Sequence, residues 1–422
     1  MTGRRLSSFL ASVTAAAAGA SLLTGCGALP GVSGGSREPV TVMTWAPDQT
    51  RATNMPGMPA MAQAYARWVN SEGGIDGHQL RVLTCNEENS PTGAAACARR
   101  AVRENVVAVV GSYSQNGRAF MAPLEAAGIP YIGGYGITED EFTSPVSYPV
   151  NGGVASLVAG HGMQLAESCR QVSLVRPDTV AGDRLPKLLD AGLRKARRHQ
   201  AVDIPAVEDA TEYTSQATRA RERAGTDDGC VAAVLGERTQ TFFDSFRRLP
   251  EGSGKEEAAQ VRISSVLGSV GQPLIDRTGG ARSPFEGAYV TGWYPAAGDP
   301  SWEPMRKVIQ AHAFADNRVD PADAGVQTTW IAYTVLKKVI ESLNTDKVTG
   351  SRISGALDRG AQVDTGGLTP TLRWMYGDLL GAPGFPRIVN HAVTFQVVRQ
   401  GRLVAQKPGF VDVGPTVTGA AV

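Results

Sequence analysis

Ser112, Ser114, Gln115 and Asn116 follow directly on the apolar run Val106 to Val110, and Tyr135 and Gly136 follow on a second run, Ile129 to Ile132. Hydroxyls and amides so placed supply neutral donors and acceptors to a small polar solute, and a Tyr ring adds a surface for stacking. A helix predicted soon after Asn116 turns its free N–H groups toward the same loop, which favours a carboxylate or another anion. The same residue types cap helices, build turns and fill cores, so both roles stay open. Further along, Asp178, Glu237, Arg238 and Ser269 each follow an apolar run: Val172 to Val175, Val231 to Leu235 and Val261 to Leu267. An acid there can pair with an ammonium, and Arg238 with an anion. Trp45 ends the first run and Trp293 follows a late one; either walls a cleft or belongs to the core.

Other chemistry is not supported. HExxH, SxxK, GxxxxGK[ST] and GxGxxG are absent, and His78, His161, His199, His312 and His391 show no metal-ligand spacing. No enzyme, cofactor or metal is predicted. The 422 residues carry 41 basic and 40 acidic side chains, so no whole-chain attraction to nucleic acid follows. With 42% hydrophobic and 19% charged residues the chain is a folded protein of more than one ordinary domain.

The elements that must hold these loops alternate. Val40 to Trp45, Leu80 to Thr84, Val106 to Val110 and Ile129 to Ile132 read as strands. Between them lie helices over Met61 to Val69, Ala94 to Arg103 and Met121 to Ala127. A second series, after Asn151-Gly152-Gly153, has strands at Val172 to Val175, near Val202, at Val231 to Leu235 and at Val261 to Leu267, again separated by helices. A further strand covers Ala288 to Thr291. In the long helix beyond it, Ala332, Leu336, Val339, Ile340 and Leu343 share one face. A hairpin pairs Val393 to Val398 with Leu403 to Ala405. Alternation at this spacing predicts an α/β fold with parallel sheets in two Rossmann-like lobes.

At the N-terminus, Arg4-Arg5 and the Ala-, Ser- and Leu-rich stretch Leu6 to Leu23 have the layout of a signal peptide. An uncleaved membrane anchor is the alternative, and both general and twin-arginine export remain open. The following Leu23-Thr24-Gly25-Cys26 resembles the lipobox of bacterial lipoproteins. That resemblance implies a lipid on Cys26 and a place on the outer face of the cell membrane. Residues 27–39 are Gly-, Ser- and Pro-rich, the composition of a tether. Four cysteines remain for an oxidising compartment, and four allow three pairings. Cys85 ends a strand and Cys97 lies on the next helix, while Cys169 and Cys230 each precede an apolar strand. We therefore expect Cys85–Cys97 and Cys169–Cys230.

Asn70-Ser71-Glu72-Gly73-Gly74-Ile75-Asp76-Gly77 lies between the first helix and the second strand. With Val106 to Gly111 and its Ser112-Tyr113-Ser114, Ala126 to Ile132, Asp364 to Leu368 and Phe395 to Val398, it resembles type I periplasmic binding proteins of the branched-chain amino acid-binding class. The resemblance covers nearly the whole mature chain. It implies two lobes joined by a three-crossing hinge near Tyr148 to Gly153, Trp293 to Ala297 and Asp364 to Thr371. The lobes would be 40–150 plus 294–366 and 151–293 plus 367–422, after a leader over 1–26. It further implies a monomer that closes on a small-molecule solute and passes it to an ABC permease, with the membrane reached only through the lipid. A surface sensor of the same fold is the alternative. Thr179-Val180-Ala181-Gly182 after Asp178, and Gly133 to Gly136, depart from the family pattern and leave amino acids, amides and aromatic or carboxylic acids open as ligands.

Overall fold

The computed structural model describes residues 37–420 apart from 52, 180, 208–209, 226–227 and 250–260. The leader, Cys26 and residues 27–36 of the expected tether lie outside the described residues.

The first sheet is built from β1 (Arg37–Ala46), β2 (His78–Asn86), β3 (Ala108–Val110), β4 (Tyr131–Ile132) and β5 (Ser147–Tyr148) in the order β2-β1-β3-β4-β5, all parallel. Its connecting helices are α1 (Gly57–Ser71), α2 (Pro91–Arg103), α3 (Gly117–Ala127) and α4 (Asp140–Thr143). Strand β1 starts at Arg37, so the last three residues expected in the tether are sheet. Strand β3 is shorter than its apolar run; Val106 and Val107 lead into it.

The second sheet contains β6 (Gln171–Pro177), β7 (Val202–Ala206), β8 (Gly229–Ala233), β9 (Arg262–Val266) and β10 (Tyr289–Gly292), linked through α6 (Leu185–Lys195), α7 (Thr214–Ala224), α8 (Thr239–Arg247) and α9 (Gln272–Arg277). Helix α5 (Gly153–Ala166) precedes β6 and packs on this sheet. After β10 the chain returns to the first lobe with α10 (Glu303–His312), α11 (Ala324–Leu343) and α12 (Gly350–Asp358); α10 and α11 both pack on α1. It crosses again through the hairpin β11 (Leu380–Ala382) and β12 (Phe385–Ile388). Finally β13 (Ala392–Arg399) and β14 (Arg402–Ala405) extend the second sheet antiparallel, β15 (Val411–Asp412) pairs with β13, and α13 (Gly414–Thr418) follows. The strand order is β14-β13-β10-β9-β8-β6-β7. This is the expected α/β fold with two lobes.

Local chemistry explains the joints. Gly74 has φ +89°, and a Cβ there would stand 2.3 Å from the His78 carbonyl oxygen, so only glycine lets the chain turn so tightly from α1 toward β2. Asn70, at the end of α1, accepts from the Leu80 N–H at 2.8 Å and donates to the Leu80 carbonyl at 2.9 Å. Strand β2 is an edge strand, and this side chain satisfies backbone groups that no neighbouring strand reaches. Helix α11 begins eight residues before its amphipathic stretch because Asp323 caps it, accepting from the Val326 N–H at 2.9 Å. Both disulfides pair as expected: Cys85–Cys97 joins the end of β2 to α2, and Cys169–Cys230 joins the segment before β6 to β8. The largest apolar cluster runs from α1 and α11 through Tyr113 and Tyr135 to Val266, Leu267 and Trp293, so it spans both lobes.

Candidate functional site

In an open parallel sheet a ligand sits outside the carboxyl ends of the strands where the winding reverses. The first sheet reverses between β1 and β3, and the second between β6 and β8. The loops after β3 and β4 therefore face the candidate site from one lobe, and those after β6, β8 and β9 from the other.

In the β3 loop the hydroxyl and amide groups are already engaged. Ser114 Oγ donates to Glu87 Oε2 at 2.8 Å, Asn116 Nδ2 donates to the same oxygen at 3.4 Å, and the Asn116 N–H donates to Ser114 Oγ. Glu87 is fully buried. Burial raises its carboxyl above the ordinary range, against the lowering effect of those hydrogen bonds. Ser112 is buried and accepts from the Trp45 N–H through Oγ, while its carbonyl accepts from the Tyr135 N–H and the Tyr131 hydroxyl. Gln115 is exposed and donates to the Tyr113 hydroxyl at 3.0 Å.

The β4 loop is stapled by a second buried acid. Glu141 accepts from the N–H groups of Gly136, Ile137 and Thr138, each at 3.0 Å. Burial pushes its carboxyl up to about 7 in spite of these bonds. A Cβ on Gly134 would lie 2.1 Å from Glu141 Oε2 and 2.3 Å from the Tyr131 ring, so glycine is what lets the carboxylate reach the loop. Sequence reasoning missed Glu87 and Glu141, and also Asn151, which donates to the Tyr135 carbonyl at 3.3 Å and to the Tyr294 hydroxyl at 3.0 Å.

Held this way, Tyr135 stands between the lobes. Its ring meets Tyr113 edge-on at 5.2 Å and Trp293 edge-on at 5.2 Å, and its hydroxyl faces Gly268, which follows β9. The Trp293 indole donates to the Gly153 carbonyl at 2.9 Å. The Tyr135 hydroxyl is buried and has no hydrogen-bond partner among the described residues. Burial, with the Asp323 carboxylate second, keeps this phenol far above its ordinary range, so it remains a neutral donor.

From the second lobe, Ser269 Oγ accepts from the Gly236 N–H at 3.1 Å, tying the β9 loop to the β8 loop that carries Arg238. Arg238 is half-buried, and Asp178, after β6, is exposed. Glu237 lies in the turn Gly236–Arg238; its side chain is outside the described residues. Trp45 is not brought to this place. It is fully buried behind the first sheet, against Phe120 at 5.5 Å and Tyr131 at 6.0 Å. An ion pair between Glu139 and Arg184 also links the lobes, since Glu139 precedes α4 and Arg184 precedes α6. Among the described residues no helix is long and apolar enough to cross a membrane.

The periplasmic binding protein family model matches residues 50–378. No curated protein matches the chain. Among solved structures, a substrate-binding periplasmic protein from Ralstonia solanacearum superposes with a TM-score of 0.69 at 16% identity, over 87% of this chain and 100% of that one. A branched-chain amino acid ABC transporter protein from Thermus thermophilus with bound valine gives 0.70 at 13% identity, over 90% and 97%. A solute-binding protein of an ABC transporter from R. palustris, in complex with 4-hydroxybenzoate, gives 0.68 at 14% identity, over 89% and 97%.

Proposed function

This chain belongs to the periplasmic binding protein family, and from that premise we propose that it captures a small polar solute of the amino acid, amide or carboxylic acid type between its lobes and delivers it to an ABC importer. The lobes in this reading are 40–150 plus 294–366 and 151–293 plus 367–422, hinged at the three passages between the sheets. The observation that carries it is the Tyr135 hydroxyl: a buried neutral donor, unpartnered among the described residues, at the contact between the lobes. An unmet buried hydroxyl costs about 1–3 kcal/mol, a cost that a solute acceptor at this point removes. The valine and 4-hydroxybenzoate of the relatives both bring a carboxylate that could accept such a bond.

The loops after β6 and β8, with Asp178, Glu237 and Arg238, complete the site when the lobes close, and Ser269 fixes the β9 loop to the β8 loop. Closure is driven only by contacts the solute makes better in the closed form. Lipid on Cys26, after removal of the leader, anchors the protein outside the membrane in this reading, with residues 27–36 as the tether.

The test is thermal unfolding of the full chain in mild detergent against amino acids, amides, short peptides, sugars and carboxylic acids. A native-state ligand at a hundredfold excess over Kd adds about 2.7 kcal/mol, so one class is expected to raise the unfolding temperature. Flat curves across the panel from a folded sample would count against solute capture.

A further inference from the structure

We infer that the first lobe carries a second small-molecule site, on the side of α1 and α11 and apart from the interlobe loops, which takes a ring-bearing zwitterion such as a free aromatic amino acid. A groove of about 320 Å³ lies between α1, the turn Pro300–Trp302, α11 and the passage 364–368. That volume is within the range of ligand pockets, about 300–1,000 Å³. None of the loops after β3, β4, β6, β8 and β9 contributes to it.

Its floor is aromatic. Trp68 and Trp330 stack with centroids 5.6 Å apart and planes inclined at 26°, and Tyr65 meets both edge-on at 5.1 and 5.2 Å. Tyr65 and Trp330 are buried, whereas Trp68 is half-buried and so leaves indole surface in the groove. Pro304 and Leu368 extend this apolar wall. Such a surface suits a flat ring.

The charges at the rim select what the ring carries. Lys337 is paired with Glu341 one helical turn on, which removes both from the reckoning. Lys338 is exposed and makes no ion pair among the described residues. Asp364 is exposed, and among the described residues only one of its oxygens is engaged, accepting from the Gly366 N–H at 2.8 Å. One unpaired cation and one carboxylate with a free oxygen border the same aromatic floor. A ligand with only an anion would meet Asp364, and one with only a cation would meet Lys338. A zwitterion satisfies both.

The test measures binding of L-phenylalanine to the full chain by calorimetry, beside 3-phenylpropionate and phenethylamine, for wild type, Lys338→Gln, Asp364→Asn and Tyr135→Phe. Both rim side chains are exposed, and Asp364→Asn keeps the acceptor for Gly366, so these variants retain the fold. The expected result is saturable phenylalanine binding at a site that each rim variant weakens by about tenfold, the effect of one lost charge-assisted contact, while any weakening by Tyr135→Phe is confined to a second, cleft site. Each single-charge analogue is expected to bind more weakly than phenylalanine. Absence of saturable binding, loss in Tyr135→Phe with none in the rim variants, or equal binding of the analogues would each overturn the assignment. Should the cleft also take phenylalanine, two sites appear and only the groove site responds to Lys338→Gln. Failure of solute capture in the cleft would show in Tyr135→Phe alone, so the two readings fail separately.

Discussion

Replacing Tyr135 by Phe should make the ligand-free protein more stable and its solute complex weaker. The change removes one oxygen and keeps the ring, so the edge contacts to Tyr113 and Trp293 survive. The oxygen lost is buried and unpartnered among the described residues, and such a group costs about 1–3 kcal/mol. The free protein should thus gain on the order of 1 kcal/mol. The complex loses a hydrogen bond made in a dry site, about 1–1.5 kcal/mol; with the gain of the free protein, binding weakens by about 2–2.5 kcal/mol, roughly a thirty- to seventyfold rise in Kd. Denaturant unfolding of the free protein and calorimetric titration with whichever solute the panel selects read the two halves independently. If Tyr135→Phe is less stable than wild type, the hydroxyl has a structural partner; if affinity is unchanged, it does not touch the solute. Either result refutes the reasoning.

Three further outcomes follow from the geometry. Asn70→Ala strands both backbone groups of Leu80 and should cost about 2 kcal/mol, and Asn70→Asp should cost more at neutral pH because the carboxylate oxygen that replaces the Nδ2 donor is held against the Leu80 carbonyl oxygen and repels it; chemical denaturation ranks the two. Burial holds His161 at about 3, between Thr291 and Ser264, against an ordinary value near 6.5. Only the unfolded chain then binds a proton at His161 between those values, so its stabilising effect is complete above pH 6.5 and is lost as pH falls toward 3. The stability difference between wild type and His161→Gln should shrink over that interval, which denaturation at stepped pH measures. Replacing Cys169 and Cys230 together by Ser opens a link of sequence separation 61 and should lower stability by about 4 kcal/mol in the chain-entropy account, read from the denaturation midpoint.

The fold was largely legible because its strands are continuous apolar runs of the kind that parallel sheets bury on both faces. The same property hid the fate of Trp45. Strand β1 is buried on both sides along its second half, so nothing in its pattern separates a residue facing the cleft from one facing α2 and α3. The loops were legible as places and less so as chemistry. Ser114 and Asn116 read as free donors, yet they are spent on Glu87, and Gly136 is spent on Glu141. A lone Glu in a loop reads as a solvated charge, and the convergence of three N–H groups on Glu141 depends on how residues 134–141 fold back. Tyr135 was visible because it stands in a glycine-rich stretch after a strand. That its hydroxyl lacks a partner is a property of the packed whole.

The placement of the two disulfides bears on how such a protein works in a medium of changing redox poise. Each cross-link ties neighbouring segments of one lobe, and neither joins one lobe to the other. Oxidation therefore stabilises each lobe by itself and, in the proposed closing motion, leaves the passage between them free. A reductant would reach solute affinity only by loosening a lobe, so partial reduction should leave a population that either binds normally or is unfolded in one half.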